Sequence, residues 1–292
     1  MNVGIVGVGN MGGAMALRLL DLGYTVHVHD VDAERMAALV SHGATVQAHA
    51  ANVAAASDVV IVAVVDAAQT TDVLFGPHGV ASASTLPHAV MLCPTIAPED
   101  VVKMAAGLHT LGMATLDAPM SGGPARARDG SMSLMVACAD DVRARCLPLL
   151  QALSSCVFDV GSRVGDGART KLVNNLLAAV NLAGAAEAMA LAEAVGLDAS
   201  TTLDVIEQSS GQSWIGSDRM RRALAGNWQP RAHTALLRKD SALALAMAQQ
   251  AGVLLPAVGA EAAALFARAC EAGRGADDDA CLWPHLKASP PS

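Results

Sequence analysis

Aromatic residues are nearly missing from this chain: three Trp, three Phe and one Tyr, 2% of 292 residues. A core without rings has to be filled by aliphatic side chains. Alanine-rich helices pack closely, which suits helical layers better than a β-sandwich. Charge is also scarce, at 16% of residues, with 27 Asp and Glu against 19 Lys and Arg for a net charge of −8. There is no basic run and no aromatic–basic interleaving, which argues against nucleic-acid binding. The six cysteines, Cys93, Cys138, Cys146, Cys156, Cys270 and Cys281, form no Cys-x-x-Cys pair and no metal-ligand spacing. They read as reduced, mostly buried thiols, with no metal expected. No leader precedes the first strand, so the expected compartment is the cytoplasm. The longest apolar stretch, Leu172–Leu197, carries Asn174, Asn175, Asn181, Glu187 and Glu193, so it reads as a buried helix and not as a membrane span.

Glycine, by contrast, is placed with purpose. Val3, Ile5, Val6 and Val8 read as a buried parallel strand running into Gly7-Val-Gly9-Asn10-Met11-Gly12. Ala14–Leu22 then has helical spacing and stops at Gly23, and a second strand, Thr25–His29, ends on Asp30. The spacing from Gly12 to Asp30 matches the roughly 20 residues of a βαβ dinucleotide-binding unit. Gly7 permits the tight turn, Gly9 lets backbone approach a pyrophosphate, and Gly12 lets the helix lie close to the strand. The helix start offers N–H groups and a partial positive charge to phosphates. Asp30 can accept hydrogen bonds from both ribose hydroxyls of NAD and would repel the 2′-phosphate of NADP. No Arg follows until Arg35, so NAD is expected over NADP. The other reading of Asp30, a helix N-cap, suits Asp32 better, because Ala33-Glu34-Arg35 follows it.

The first half keeps alternating strands and helices. Helices are predicted at 33–42 and 50–56, and strands near Thr45–Gln47, at Asp58–Val65, Ala89–Cys93, Thr115–Pro119, Ser133–Ala137 and Val157–Val160. From about Gly165 no strand-like run remains, and 168–196, 199–208, 213–225, 235–251 and 257–273 all read as helices. The fold class is therefore an α/β Rossmann domain, doubly wound on a mainly parallel sheet, followed by an all-α domain. The boundary falls in the turn 161–166, giving a dinucleotide-binding domain over 1–163 and a helical substrate and dimerisation domain over 164–292. The tail Ala288–Ser292 is expected to be disordered.

Two further segments carry chemistry. Asp117-Ala-Pro-Met-Ser121-Gly122-Gly123 lies at a strand end, where a hydroxyl and exposed N–H groups suit a carboxylate; it also reads as a simple turn. Gly167-Ala-Arg-Thr-Lys171-Leu-Val-Asn174-Asn175 puts Lys171 and Asn175 one turn apart on one helix face. A lysine at the edge of an apolar crevice can exchange a proton with a hydroxyl or carbonyl, because desolvation lowers its pKa. Taken alone, Lys171 reads as a surface lysine.

In order along the chain, these motifs resemble the β-hydroxyacid dehydrogenase family. That family includes 3-hydroxyisobutyrate dehydrogenase, tartronate semialdehyde reductase and, more distantly, 6-phosphogluconate dehydrogenase. Arg238-Lys239-Asp240 is similar to its late Lys-Asp element, and Gly275-Ala-Asp277-Asp278 to its C-terminal acidic turn. The resemblance implies a hydride transfer between NAD and a small hydroxy acid, with Lys171 as general acid/base and no metal. Ser121, Gly122 and Gly123 would hold the substrate carboxylate, and Asn175, with Asn174, would hydrogen-bond the substrate. Thr95 would lie near the nicotinamide and Lys239 against the cofactor across an interdomain cleft. A homodimer or homotetramer is implied, with no membrane partner.

The pattern departs from the family at two loops. Val64-Val65-Asp66 replaces a Leu-Pro pair beside the cofactor, where Asp66 again disfavours NADP; Pro94 replaces a Ser before the retained Thr95. Ser209–Trp214 resembles members acting on short sugar acids such as threonate; Trp214 either lines the pocket or packs between helices. Two alternatives stand beside the main one. The first is an NADPH-dependent aldehyde-acid or imine reductase, disfavoured because imine reductases usually replace the lysine. The second is a non-catalytic dinucleotide-binding protein.

Overall fold

The structure is a computed structural model that describes residues 1–253 and 257–288. The chain divides into two compact units, Met1–Lys171 and Leu172–Ser292.

The first unit is built on one sheet. Its strands are β1 (Asn2–Val6), β2 (Thr25–His29), β3 (Thr45–Val46), β4 (Val59–Val62), β5 (Ala89–Leu92), β6 (Ala114–Asp117), β7 (Met120–Ser121), β8 (Ser133–Ala137) and β9 (Cys156–Gly161). Their order is β3-β2-β1-β4-β5-β6-β8-β7, with β9 alongside β8. The first six run parallel; β8 is antiparallel to β6 and β7 and parallel to β9. The sheet is covered on both faces, which is why the middle strands are continuously apolar. Alternate residues feed opposite cores: Val3, Ile5, Ile61 and Met91 join one, and Val6, Val60, Val62 and Leu92 the other. The covering helices are α1 (Asn10–Asp21), α2 (Ala33–Val40), α3 (Ala50–Ala55), α4 (Ala67–Phe75), α5 (Pro98–Thr110), α6 (Gly123–Asp129) and α7 (Asp140–Leu153). This is the doubly wound, mainly parallel architecture that the sequence predicts.

A long helix, α8 (Asp166–Ala194), starts in the first unit and runs on into the second. By length and composition alone it is apolar enough to cross a membrane, with a mean hydropathy of 1.4. The second unit adds α9 (Ala199–Glu207), α10 (Trp214–Leu224), α11 (Thr234–Gln250), α12 (Ala257–Ala269) and α13 (Leu282–Ala288). Leu182, Met189, Met220, Phe266 and Trp283 meet in its core. Among its described residues it contains no strand, as expected. The helix predicted to reach 273 gives way after Ala269 to a wider turn, Cys270–Arg274, in which Gly273 takes a φ of 83°. The sequence reading gives no bounds for α4, α5 and α7, which only the alternation of strands and helices implies, and it misses β7, α6 and α13, each too short for a periodic signal. In the predicted tail, α13 reaches Ala288, and 289–292 lie outside the described residues.

Candidate functional site

The strand register lines up the ends of the parallel strands. Val6 pairs with His29 and with Val62, Val62 with Leu92, and Leu92 with Asp117. One row of backbone therefore crosses β2, β1, β4, β5 and β6 at their carboxyl ends. Every sequence-predicted site residue of the first unit other than Lys171 follows this row. Gly7–Gly12 leaves β1, Asp30 leaves β2, Val64–Asp66 leaves β4, Thr95 leaves β5, and Ser121–Gly123 follows β6 by way of the short β7. Ligands of open parallel sheets bind at this edge, beside the point where strand order reverses, here between β1 and β4.

At β1 the glycines answer to close backbone approach. Gly7 has a φ of 90°, and a Cβ there would lie 2.7 Å from the carbonyl oxygen of Ala63. A Cβ on Gly12 would fall on the carbonyl oxygen of Gly7, so α1 can lie this near β1 only with hydrogen at that position. Gly9 caps α1 without a side-chain hydrogen bond, and Asn10 and Met11 open the helix. The Asp30 carboxylate is fixed by two backbone donors, Val8 N at 2.6 Å and Asp32 N at 2.9 Å. It thus ties the glycine loop to the end of β2. Asp32 performs the capping role, accepting from Glu34 N and Arg35 N. Arg35 pairs with Asp32 (Nε–Oδ2, 3.0 Å), and its Nη1 lies 3.0 Å from where a Gly9 Cβ would be. Distant from Gly9 along the chain, Arg35 is returned to the glycine loop by folding.

The next two loops are more mixed. Asp66 is the N-cap of α4, accepting from Gln69 N at 2.8 Å, while Gln69 Oε1 accepts from Val65 N. The sequence predicts a cofactor-facing charge at Asp66, and part of its hydrogen-bonding capacity goes to that cap. Val64 is half-buried and Val65 exposed, and Thr95 is half-buried behind a buried Pro94.

Ser121 belongs to β7 and pairs with Ser133 of β8, which fixes the start of the Ser121–Gly123 loop. Gly122 and Gly123 then take φ values of 126° and 75°, two successive positive values that L-residues rarely adopt. The stem of Arg126 lies over Gly122, with Cδ 3.1 Å from a Cβ there, and its guanidinium donates to the hydroxyl and carbonyl of Ser131. Arg126 was not singled out in the sequence, because nothing in Pro-Ala-Arg-Ala-Arg distinguishes it from Arg128.

Lys171 is buried, 7% exposed, against its reading as a surface lysine when taken alone. Asn175, one turn on, is buried too, while Val173 and Asn174 between them are exposed. The pair therefore does share a face of α8. Asp117, at the end of the carboxyl row, is 1% exposed, and burial pushes its carboxyl up to about 6 despite hydrogen bonds from Ala168, Gly165 and Gly167 that work the other way.

In the second unit a short hydrogen-bond chain gathers three predicted residues. Asn174 Nδ2 donates to Asn175 Oδ1 (3.0 Å), Asn175 Nδ2 to Asp240 Oδ2 (2.7 Å), and Lys239 Nζ to Asp240 Oδ1 (2.6 Å). The buried carboxylate of Asp240 is the hub, and only the Lys-Asp pairing in the sequence hinted at it. Trp214 stands outside this chain, as the first residue of α10 after the Ser213 cap, and is 49% exposed.

Comparisons with known proteins agree along most of the chain. Residues 2–161 match the family model for the NAD binding domain of 6-phosphogluconate dehydrogenase. Residues 165–285 match the model described as the NAD-binding part of NADP-dependent 3-hydroxyisobutyrate dehydrogenase. An L-threonate dehydrogenase of Escherichia coli O6:H1 is 36% identical over 282 residues, 96% of this chain and 93% of that one. A 3-hydroxyisobutyrate dehydrogenase of Pseudomonas aeruginosa is 34% identical over 277 residues, covering 91% of each. A solved 3-hydroxyisobutyrate dehydrogenase from Salmonella typhimurium matches with a TM-score of 0.91 at 35% identity, over 98% of this chain and 99% of that one.

Proposed function

The chain belongs to the β-hydroxyacid dehydrogenase family of NAD(P)-linked oxidoreductases, and on that premise we propose that it oxidises the hydroxyl of a short sugar acid of the threonate type, with the reverse reduction equally available. The observation that carries the reading is the register row. It brings the Gly7–Gly12 loop, the Asp30 carboxylate and the Ser121–Gly123 loop to one edge of the sheet, an arrangement that supports assigning them to phosphate, ribose and substrate acid.

The residues present fit a dinucleotide. Side chains at Gly7 and Gly12 would strike backbone, Gly9 caps α1 without a side chain, and Asp30 stands at the end of β2. When bound, the nicotinamide supplies the hydride acceptor or donor. The chain's own part is to bind, orient and move a proton. Ser121, Gly122 and Gly123 hold the substrate carboxylate, and Lys171 takes the hydroxyl proton during oxidation and returns it during reduction. Thr95, Val64 and Val65 line the nicotinamide side. Asn174, Asn175, Trp214 and Lys239 are assigned to substrate and cofactor by the family resemblance alone. The test is a panel of three- to six-carbon hydroxy acids, offered with NAD and with NADP and followed at 340 nm. Turnover is expected for at least one four-carbon sugar acid; cofactor binding without turnover of any acid points to the non-catalytic alternative.

NAD is the preferred cofactor in this reading, because the Asp30 carboxylate faces ribose hydroxyls well and a 2′-phosphate badly. Asp30→Ala removes a charge-assisted acceptor and also frees the Val8 amide. At roughly 1.5–3 kcal/mol for such a bond, the dissociation constant for NAD should rise by about 10- to 100-fold. One observation favours the NADP reading, the Arg35 guanidinium beside Gly9. Arg35→Ala decides between them. An equal or smaller loss with NADP than with NAD upholds the Asp30 assignment, and a loss confined to NADP overturns it.

A homodimer or homotetramer belongs to the same reading. Exposed Val173, Leu177 and Leu191 recur at helical spacing along one face of α8, with exposed Val195 just past its end. Light scattering should give a multiple of the 29.6 kDa chain mass.

A further inference from the structure

We propose that Asp117 is a positioning residue that holds Lys171 in register with the Ser121–Gly123 loop. The proposal rests on the catalytic reading of Lys171 given above. Asp117 ends β6 and stands four residues before Ser121, so its backbone fixes where that loop begins. Its carboxylate meanwhile reaches 48 residues along the chain to accept from Gly165 N at 2.8 Å, and from Ala168 N at 3.2 Å. Gly165 immediately precedes α8, Ala168 lies in its first turn, and Lys171 follows less than one turn after Ala168. An α-helix leaves its first amides without partners of its own, and here a single buried carboxylate from another element supplies them. The fit is tight: a Cβ at Gly167 would lie 2.7 Å from the Asp117 carbonyl oxygen and 2.8 Å from its Cγ. One residue therefore sets both the loop expected to grip the substrate acid and the helix start that aims the lysine.

The clamp depends on ionisation. Gly165 N and Ala168 N converge on Oδ2, and an N–H bond to a charged acceptor is roughly twice as strong as one to the carbonyl oxygen of a protonated carboxyl. Burial makes that proton easier to add, which is why the carboxyl sits at about 6. The ionisable group with a resolved influence on it is the Asp166 carboxylate, held by Arg163 and Arg169, while the buried Cys93 thiol nearby is itself pushed up by burial and by Asp117. Neither relieves the burial, since a buried thiol stays neutral and Asp166 adds like charge.

The reduction direction isolates the effect. There the lysine must enter protonated, so acid does not deprive it of its proton, and the substrate carboxylate titrates far lower. In wild type, kcat for reduction should fall on the acid side with a midpoint near pH 6. Asp117→Asn should lower kcat by about 10²-fold, the order expected for a misplacement near 1 Å, abolish the acid limb, and leave the cofactor dissociation constant within about twofold. A variant with wild-type kcat and an unchanged limb overturns the proposal. Should the variant not fold, the ¹⁵N-labelled wild-type protein gives the answer: the Gly165 and Ala168 amide shifts should titrate together near pH 6, and flat shifts between pH 5 and 7.5 overturn it. Lys171→Ala, measured beside these, separates the two ideas. If it leaves turnover intact, the catalytic reading fails; if it abolishes turnover while Asp117→Asn does not, only the present inference fails.

Discussion

Lys171→Ala should lower turnover by about 10²- to 10⁴-fold, the range lost when a general acid/base is removed, while dinucleotide affinity stays close to wild type. The lysine is buried to 7% exposure on a helix whose neighbouring positions, Val173 and Asn174, face outward. A buried ammonium with a purely structural role would show its loss in thermal stability first and in kcat only in proportion. A proton-transferring one shows the reverse. Lys171→Arg refines the point: it keeps the charge, but a guanidinium does not give up its proton at working pH, so it should be nearly as inactive as the alanine variant. An alanine variant within about tenfold of wild-type turnover, or an arginine variant that keeps most activity, removes Lys171 from the reaction. The first result also removes the reading of α8 as the helix that delivers the acid/base. The measurement belongs in both directions, because a residue that takes the proton in oxidation must return it in reduction.

The fold was legible because buried parallel strands announce themselves. Val59–Val62 and Ala89–Leu92 are unbroken apolar runs, and the glycines at 7 and 12 mark a loop where backbone meets backbone. What the sequence could not show is where a lone side chain goes once the chain has closed up. Asp117 and Asp240 were both in view, one opening the Ser-Gly-Gly segment and one ending the Lys-Asp element. Their partners lie 48 and 65 residues away, and no local period encodes such a distance. Arg35 misled for the opposite reason. Read along the chain it is merely too late for a 2′-phosphate, yet the turn of α2 brings its guanidinium back to Gly9. Asp66 offers the plainest lesson: an acid immediately before a helix-forming stretch caps that helix, whatever else it faces.

Arg219→Met should destabilise the helical unit by roughly 3–5 kcal/mol, the cost of stranding a buried charge. At about 2–4 °C per kcal/mol that lowers Tm by roughly 6–20 °C. Arg219 donates to Asp279 through Nε at 2.5 Å and Nη2 at 3.2 Å, and the Asp279 side chain is 1% exposed. Beside it Arg222 holds Asp278, so two forked pairs staple α10 to the acidic turn that the sequence reading had noted only as a family mark. Burial pushes the Asp279 carboxyl up to about 6 even with the guanidinium pulling it down. The sign of the pH dependence follows. A carboxyl whose folded value lies above its unfolded one favours the folded state most at low pH, and that advantage is lost as pH rises through the folded value. Without Arg219 the folded value climbs further, so the variant goes on losing stability at pH values where wild type has levelled off. Its deficit should be larger at pH 8 than at pH 5. Arg219→Met with Asp279→Leu removes the stranded acid and should recover most of the loss, since apolar replacement of a buried ion pair is often neutral. A single variant within 1 kcal/mol of wild type at both pH values would mean that α10 is held by its apolar contacts, Met220 and Ala223 foremost, and that the pair only fills space among them.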